Sequence, residues 1–124
     1  MATTQRNSDW PGHRTDVVEM LAAMFADDDG IIRGQMMGHP SWFVLVGGKK
    51  KLFTSAWEQG ITLKLPDELI EELYEEGRAR PFEPMGSGKG MRGWVYIERQ
   101  SIEQLQAEEE LIRLSRDFVA GGQL

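Results

Sequence analysis

Residues 41–65 read SWFVLVGGKKKLFTSAWEQGITLKL. In SWFVLV, Trp42, Val44 and Val46 fall on one side of an extended chain and Phe43 and Leu45 on the other, so both faces of this strand are expected to be at least partly covered. Gly47 and Gly48 then supply turn chemistry, because glycine takes positive φ without penalty. KLFTSAW resumes the extended pattern, EQG turns it, and ITLKL alternates Ile61, Leu63 and Leu65 against Thr62 and Lys64. The stretch predicts a three-strand antiparallel meander with tight connections.

The flanks have helical periods. Upstream, Val17, Met20, Leu21, Met24 and Phe25 recur on one helix face, with Asp16 and Glu19 spaced as a capping box. That helix is expected to stop at DDDG, with Gly30 in a left-handed conformation. IIRGQMM (31–37) is either a further strand or an irregular entry. Downstream, Pro66 suits a first helical turn and Asp67 and Glu68 its positive end, and the helix buries Leu69, Ile70, Leu73 and Tyr74 before Gly77. RARPFEP offers a short extended piece between prolines. GWVYIER forms a strand, and Ser101 with Gln104 opens a final helix of about five turns carrying Leu105, Leu111, Ile112, Leu114, Phe118 and Val119. The resulting order is α-β-β-β-α-β-β-α, an α+β fold with a curved antiparallel sheet of about five strands. Residues 1–14 read as a poorly ordered lead-in, 15–120 as a single domain and 121–124 as a tail.

At 124 residues with 40% hydrophobic content, the chain can bury one core. Cysteine is absent, which excludes disulfides, thiolate chemistry and cysteine zinc sites and suits a cytoplasmic location. No apolar run reaches membrane-spanning length and the N-terminus has no secretory pattern, so no membrane role is expected. Net charge is −6, unevenly spread: residues 31–65 carry five bases and one acid, whereas 66–77 carry six acids and no base. Overall acidity disfavours general nucleic-acid affinity while leaving room for a local basic edge.

The nucleotide and metal motifs fail on spacing. In MGSGKGMRGWVYI (85–97), a phosphate loop built on Gly88–Lys89 needs glycine where Glu83 stands and Ser or Thr where Gly90 stands, and it should open a helix rather than a strand. If Gly30 were the sixth position of a calcium loop, Phe25 and Met36 would fall where carboxylates are required. His13 and His39 never meet at ligand spacing. No serine sits in a nucleophile elbow. The sequence thus assigns no catalytic, cofactor or metal residue.

Three surfaces remain. Lys49, Lys50 and Lys51, with Arg78, Arg80, Lys89 and Arg92 from the second hairpin, form a candidate interaction surface. Trp42, Trp57 and Trp94 all lie on expected strands and either fill core or line one shared pocket face. The helix after Pro66 carries like-charge i,i+4 pairs (Asp67–Glu71, Glu68–Glu72, Glu71–Glu75, Glu72–Glu76), read as a solvated face or as one that meets a basic surface such as Lys49–Lys51.

The ordered run of motifs resembles a known family. The MMG opening, the GGKKKLF hairpin, the LKL strand before an acidic helix, the RPF piece and the GWV strand before a terminal helix are similar to the N-terminal domain of the TfoX competence regulators and to the related MmcQ/YjbR proteins. The match covers roughly residues 15–120. It implies a curved antiparallel sheet with packed helices, and a regulatory or standalone module with no associated catalytic motif. The sequence stops after its last helix where the full-length regulators continue into a second helical domain, so a competence-regulator role is not the expectation. The expectation is a non-enzymatic, cytoplasmic interaction module that binds a protein partner or itself as a homodimer. The alternatives are nucleic-acid binding through the basic hairpins or small-ligand binding on the tryptophan face.

Overall fold

A computed structural model of the chain describes residues 15–83 and 90–121. The elements are α1 (Thr15–Met24), β1 (Ile31–Met36), β2 (His39–Val46), β3 (Lys49–Ala56), β4 (Gly60–Lys64), α2 (Asp67–Glu75), β5 (Arg80–Pro81), β6 (Trp94–Glu98), α3 (Ile102–Gln106) and α4 (Glu109–Val119). The six strands form one antiparallel sheet in the order β1-β2-β3-β4-β6-β5. The fold is α+β, as the residue periods indicate, with two differences in count. IIRGQM is a full strand, so the sheet has six strands rather than about five. The last helix is broken in two.

Each difference has a local cause. β1 joins β2 through a two-residue turn at Met37 and Gly38, both at positive φ (53° and 82°). Its burial alternates only weakly because it is an outer strand, which hides the period in the sequence. The break between α3 and α4 falls at Glu108, which leaves helical dihedrals (φ −95°, ψ 16°). Its carboxylate there takes one arginine on each oxygen, Arg78 at 2.8 Å and Arg99 at 2.6 Å. No proline or glycine marks the spot, so the helical period runs through it undisturbed in sequence.

Most start and stop signals are realised. Ser101 and Gln104 form their reciprocal cap, Gly47 and Gly48 turn β2 into β3 at φ 60° and 81°, and Gly77 ends α2 at φ 69°. Pro66 sits one position earlier than expected, as the cap of α2. Asp16 lies inside the first turn of α1 rather than capping it. Gly30 is not left-handed. Asp28 accepts from the Gly30 N–H at 3.0 Å and holds Arg116 of α4 through both carboxylate oxygens, at 2.9 and 3.0 Å. The acidic turn therefore ties the first helix exit to the last helix.

The core lies on one face of the sheet. Directly opposed residues in an antiparallel pair share a face, so the pairings Trp42↔Thr54, Thr54↔Leu63 and Leu63↔Val95, with Ala56↔Ile61↔Ile97, define it. Val17, Leu21, Leu73, Leu105 and Ile112 from the helices complete it. A bulge enlarges this layer: Phe43 opposes Leu52 and Trp42 opposes Thr54, which leaves Phe53 as the extra residue. Phe53 is fully buried, edge-on to Phe25 at 5.2 Å. Ser115 of α4 caps the backbone nearby, donating to the carbonyls of Phe53 and Lys64.

Candidate functional site

The three tryptophans do not share a face. Trp42 belongs to the helix-covered core, 3% exposed. Trp94 opposes Lys64, the neighbour of core Leu63, and so points to the other side. Trp57 falls just beyond β3, and its indole N–H donates to Ser55 Oγ at 2.8 Å on that same outer side, since Ser55 opposes Thr62. Parity across a bulge and three turns decides this, and none of it is visible within a single strand.

The basic residues do not gather on one edge either. Lys49, Lys50 and Lys51 are exposed at the start of β3, on the overhang that runs past the end of β4. Arg78, Arg80 and Arg92 belong to the far side of the sheet, and each meets a carboxylate: Arg78 with Glu108 and Glu76, Arg80 with Glu98 at 2.8 Å, Arg92 with Asp67 at 3.5 Å. Lys89 lies outside the described residues, as does His13. On α2, Glu68, Glu71, Glu72 and Glu75 are exposed and make no ion pair among the described residues, with Lys49–Lys51 or otherwise.

The outer face of the sheet has two parts. Around β5 and β6 it forms a groove of about 720 Å³ lined by His39, Trp57, Phe82, Tyr96, Arg80 and Glu98 among others. His39 stacks on Trp57 at 3.5 Å and Phe82 meets Trp57 edge-on at 5.2 Å, while Arg80 lies over the Tyr96 ring at 5.1 Å. Burial raises the Tyr96 pKa above the ordinary phenol value, against a hydrogen bond from the Gln59 backbone that works the other way. The hydroxyls beneath are enclosed and mutually bonded: Ser55 to Thr62 at 2.5 Å, Ser41 to the His39 carbonyl at 2.9 Å. Groups saturated in this way rigidify the sheet and are not presented to a substrate.

At the β1–β3 end the outer face is apolar. Ile32 opposes Phe43 and Phe43 opposes Leu52, so all three share this side with Leu45. Ile32 is 38% and Leu45 42% exposed, and Lys50 extends over the Phe43 ring at 5.0 Å. Lys49 and Lys51 oppose Val46 and Val44 and so point to the other face, which leaves Lys50 as the lysine on the patch; it makes no ion pair among the described residues. Sequence reasoning found the lysines and the apolar alternation, but the exposed patch depends on β1, whose strand character was ambiguous.

Among the described residues, no group of three or more His, Asp or Glu is placed to hold a metal, and no helix is long and apolar enough to cross a membrane. No family model, no curated protein and no solved structure matches this chain.

Proposed function

We propose that the chain is a non-enzymatic, cytoplasmic protein-interaction module of the TfoX N-terminal type, docking through the apolar end of its outer sheet face. The observation that carries this reading is the patch in which exposed Ile32 and Leu45 adjoin half-buried Phe43 and Leu52, with Lys50 lying over the Phe43 ring. Apolar side chains give such a surface its affinity, and Lys50, with no ion pair among the described residues, favours an acidic partner segment and speeds its encounter. The order of helices and strands accords with the family resemblance. Nucleic-acid binding finds less support, because Arg78, Arg80 and Arg92 are each engaged with carboxylates and the net charge is −6.

A photo-crosslinking side chain placed at Leu45 tests the reading, with the same group at exposed Glu72 as control. Specific protein adducts are expected from position 45, and they should weaken when Lys50 is changed to Glu. Equal labelling from both positions, or none from 45, overturns it.

A further inference from the structure

The two edges of the sheet differ. β5 contributes two residues, one of them Pro81, which has no N–H to offer. β1 runs for six residues, Ile31–Met36, with no proline, no bulge in its register with β2 and Arg33 as its single charge. Proline, clustered charge, shortness or a cover are the usual devices that keep an edge from pairing, and β1 has none among the described residues.

Its outward hydrogen-bonding groups can be named. The Leu45 N–H bonds the Gly30 carbonyl at 2.9 Å, and the antiparallel alternation then turns the backbone groups of Ile32, Gly34 and Met36 toward β2. Those of Arg33 and Gln35 point away from the sheet. The Ile31 N–H is already taken by the Asp28 carbonyl at 3.2 Å.

We propose that β1 pairs antiparallel with β1 of a second copy, about a two-fold axis at Gly34, joining two sheets edge to edge. This rests on the reading above that the β1–β3 end is a docking surface, and it adds a second copy along the edge of that surface. The argument is self-complementarity, which any two-fold interface demands. About Gly34 the strand reads Ile32-Arg33-Gly34-Gln35-Met36, apolar and polar positions mirrored around glycine. In this register Arg33 opposes Gln35 of the second copy and Ile32 opposes Met36, so the outer apolar patch continues from one copy to the other. The neighbouring symmetric registers are worse. Centring on Arg33 sets two guanidinium groups opposite one another, which is unfavourable. Centring on Ile32 draws on the Ile31 N–H, which is committed to Asp28.

Sedimentation of the purified full chain over a range of concentrations tests this directly. The wild type is expected to dimerise. Gln35→Pro removes an outward N–H without touching the β2 ladder, and should weaken the dimer at least tenfold with the melting temperature held. Gln35→Glu, set against Arg33 of the second copy, should tighten it and lose that gain in high salt. Because the chain has no cysteine, the double variant Ile32→Cys/Met36→Cys should oxidise to a covalent dimer while single Ile32→Cys should not. A wild type that stays monomeric up to about millimolar concentration overturns the self-pairing. Crosslinks from Leu45 to another protein would in that case still support the docking surface, so the two failures are distinguishable. A dimer indifferent to Gln35→Pro and Gln35→Glu overturns the edge.

Discussion

Met37 sits at φ 53° in the β1–β2 turn with its side chain 51% exposed, an arrangement that gives an unbranched apolar residue nothing in return for left-handed backbone. The left-handed region costs an L-residue roughly 1–2 kcal/mol, and asparagine tolerates it better. Met37→Asn should therefore stabilise the protein by about 0.5–1 kcal/mol in denaturant unfolding. A destabilised variant would mean that the Met37 side chain makes a contact that matters. Thr54 makes a complementary case. Its Oγ1 is buried with no hydrogen-bond partner among the described residues, between Trp42 and Leu63 on the core face. Thr54→Val keeps the shape and the β-branch, removes the orphaned hydroxyl, and should add about 1 kcal/mol. At this scale the sequence is least informative. Neither residue type signals its strain, because the positive φ and the missing partner come from register and burial.

Elements are held together here by charged clips that no local pattern announces. Arg116 of α4 grips Asp28 of the α1–β1 turn, and Arg78 and Arg99 share Glu108 between α3 and α4. The hydrogen bond from Arg116 holds the Asp28 carboxyl below its usual value despite some burial. Burial alone would raise Glu108, but its hydrogen bonds from Arg99 and Arg78 outweigh that and leave it lowered as well. Carboxyls depressed by folding contribute stability that is complete above their unfolded values, near 3.8 and 4.5, and lost as pH falls through the folded ones. Asp28→Asn and Glu108→Gln should each flatten the acid limb of the stability–pH profile. Glu108→Gln should also cost about 2 kcal/mol at neutral pH. An unchanged acid limb would show that neither clip survives in solution. Strand pairing has its own single-residue lock at Gly60, where a Cβ would collide with the Ile97 carbonyl oxygen across the β4–β6 ladder. Gly60→Ala should cost about 3 kcal/mol or more, read as a lower melting temperature, since the obstacle is backbone and cannot swing aside.

For the whole molecule, the decisive asymmetry is between the two sheet faces. Helices cover one, and the other carries an enclosed polar row, an aromatic groove and an open apolar end. Arg78, Arg80 and Arg92, each with a carboxylate partner, lie in the β6–β5 half of the sheet and Lys49–Lys51 in its β1–β3 half, so the charge segregation seen along the chain becomes a segregation in space. Sedimentation should accordingly respond to changes in β1 and remain indifferent to Arg80→Ala, whose charge is answered within its own copy by Glu98. Dissociation caused by Arg80→Ala would move the interface to the β5 edge.

The residue periods alone determined the meander at 41–65, the acidic helix after Pro66, the Ser101 cap and the α+β class, because those depend on side chains a few positions apart. Tertiary structure decided which strand faces point where, that IIRGQM is an edge strand, that the last helix breaks at Glu108, and that three tryptophans divide between two faces. Each of these turns on a contact between residues distant in the chain, or on a one-residue bulge at Phe53 that reverses parity. A local pattern carries neither.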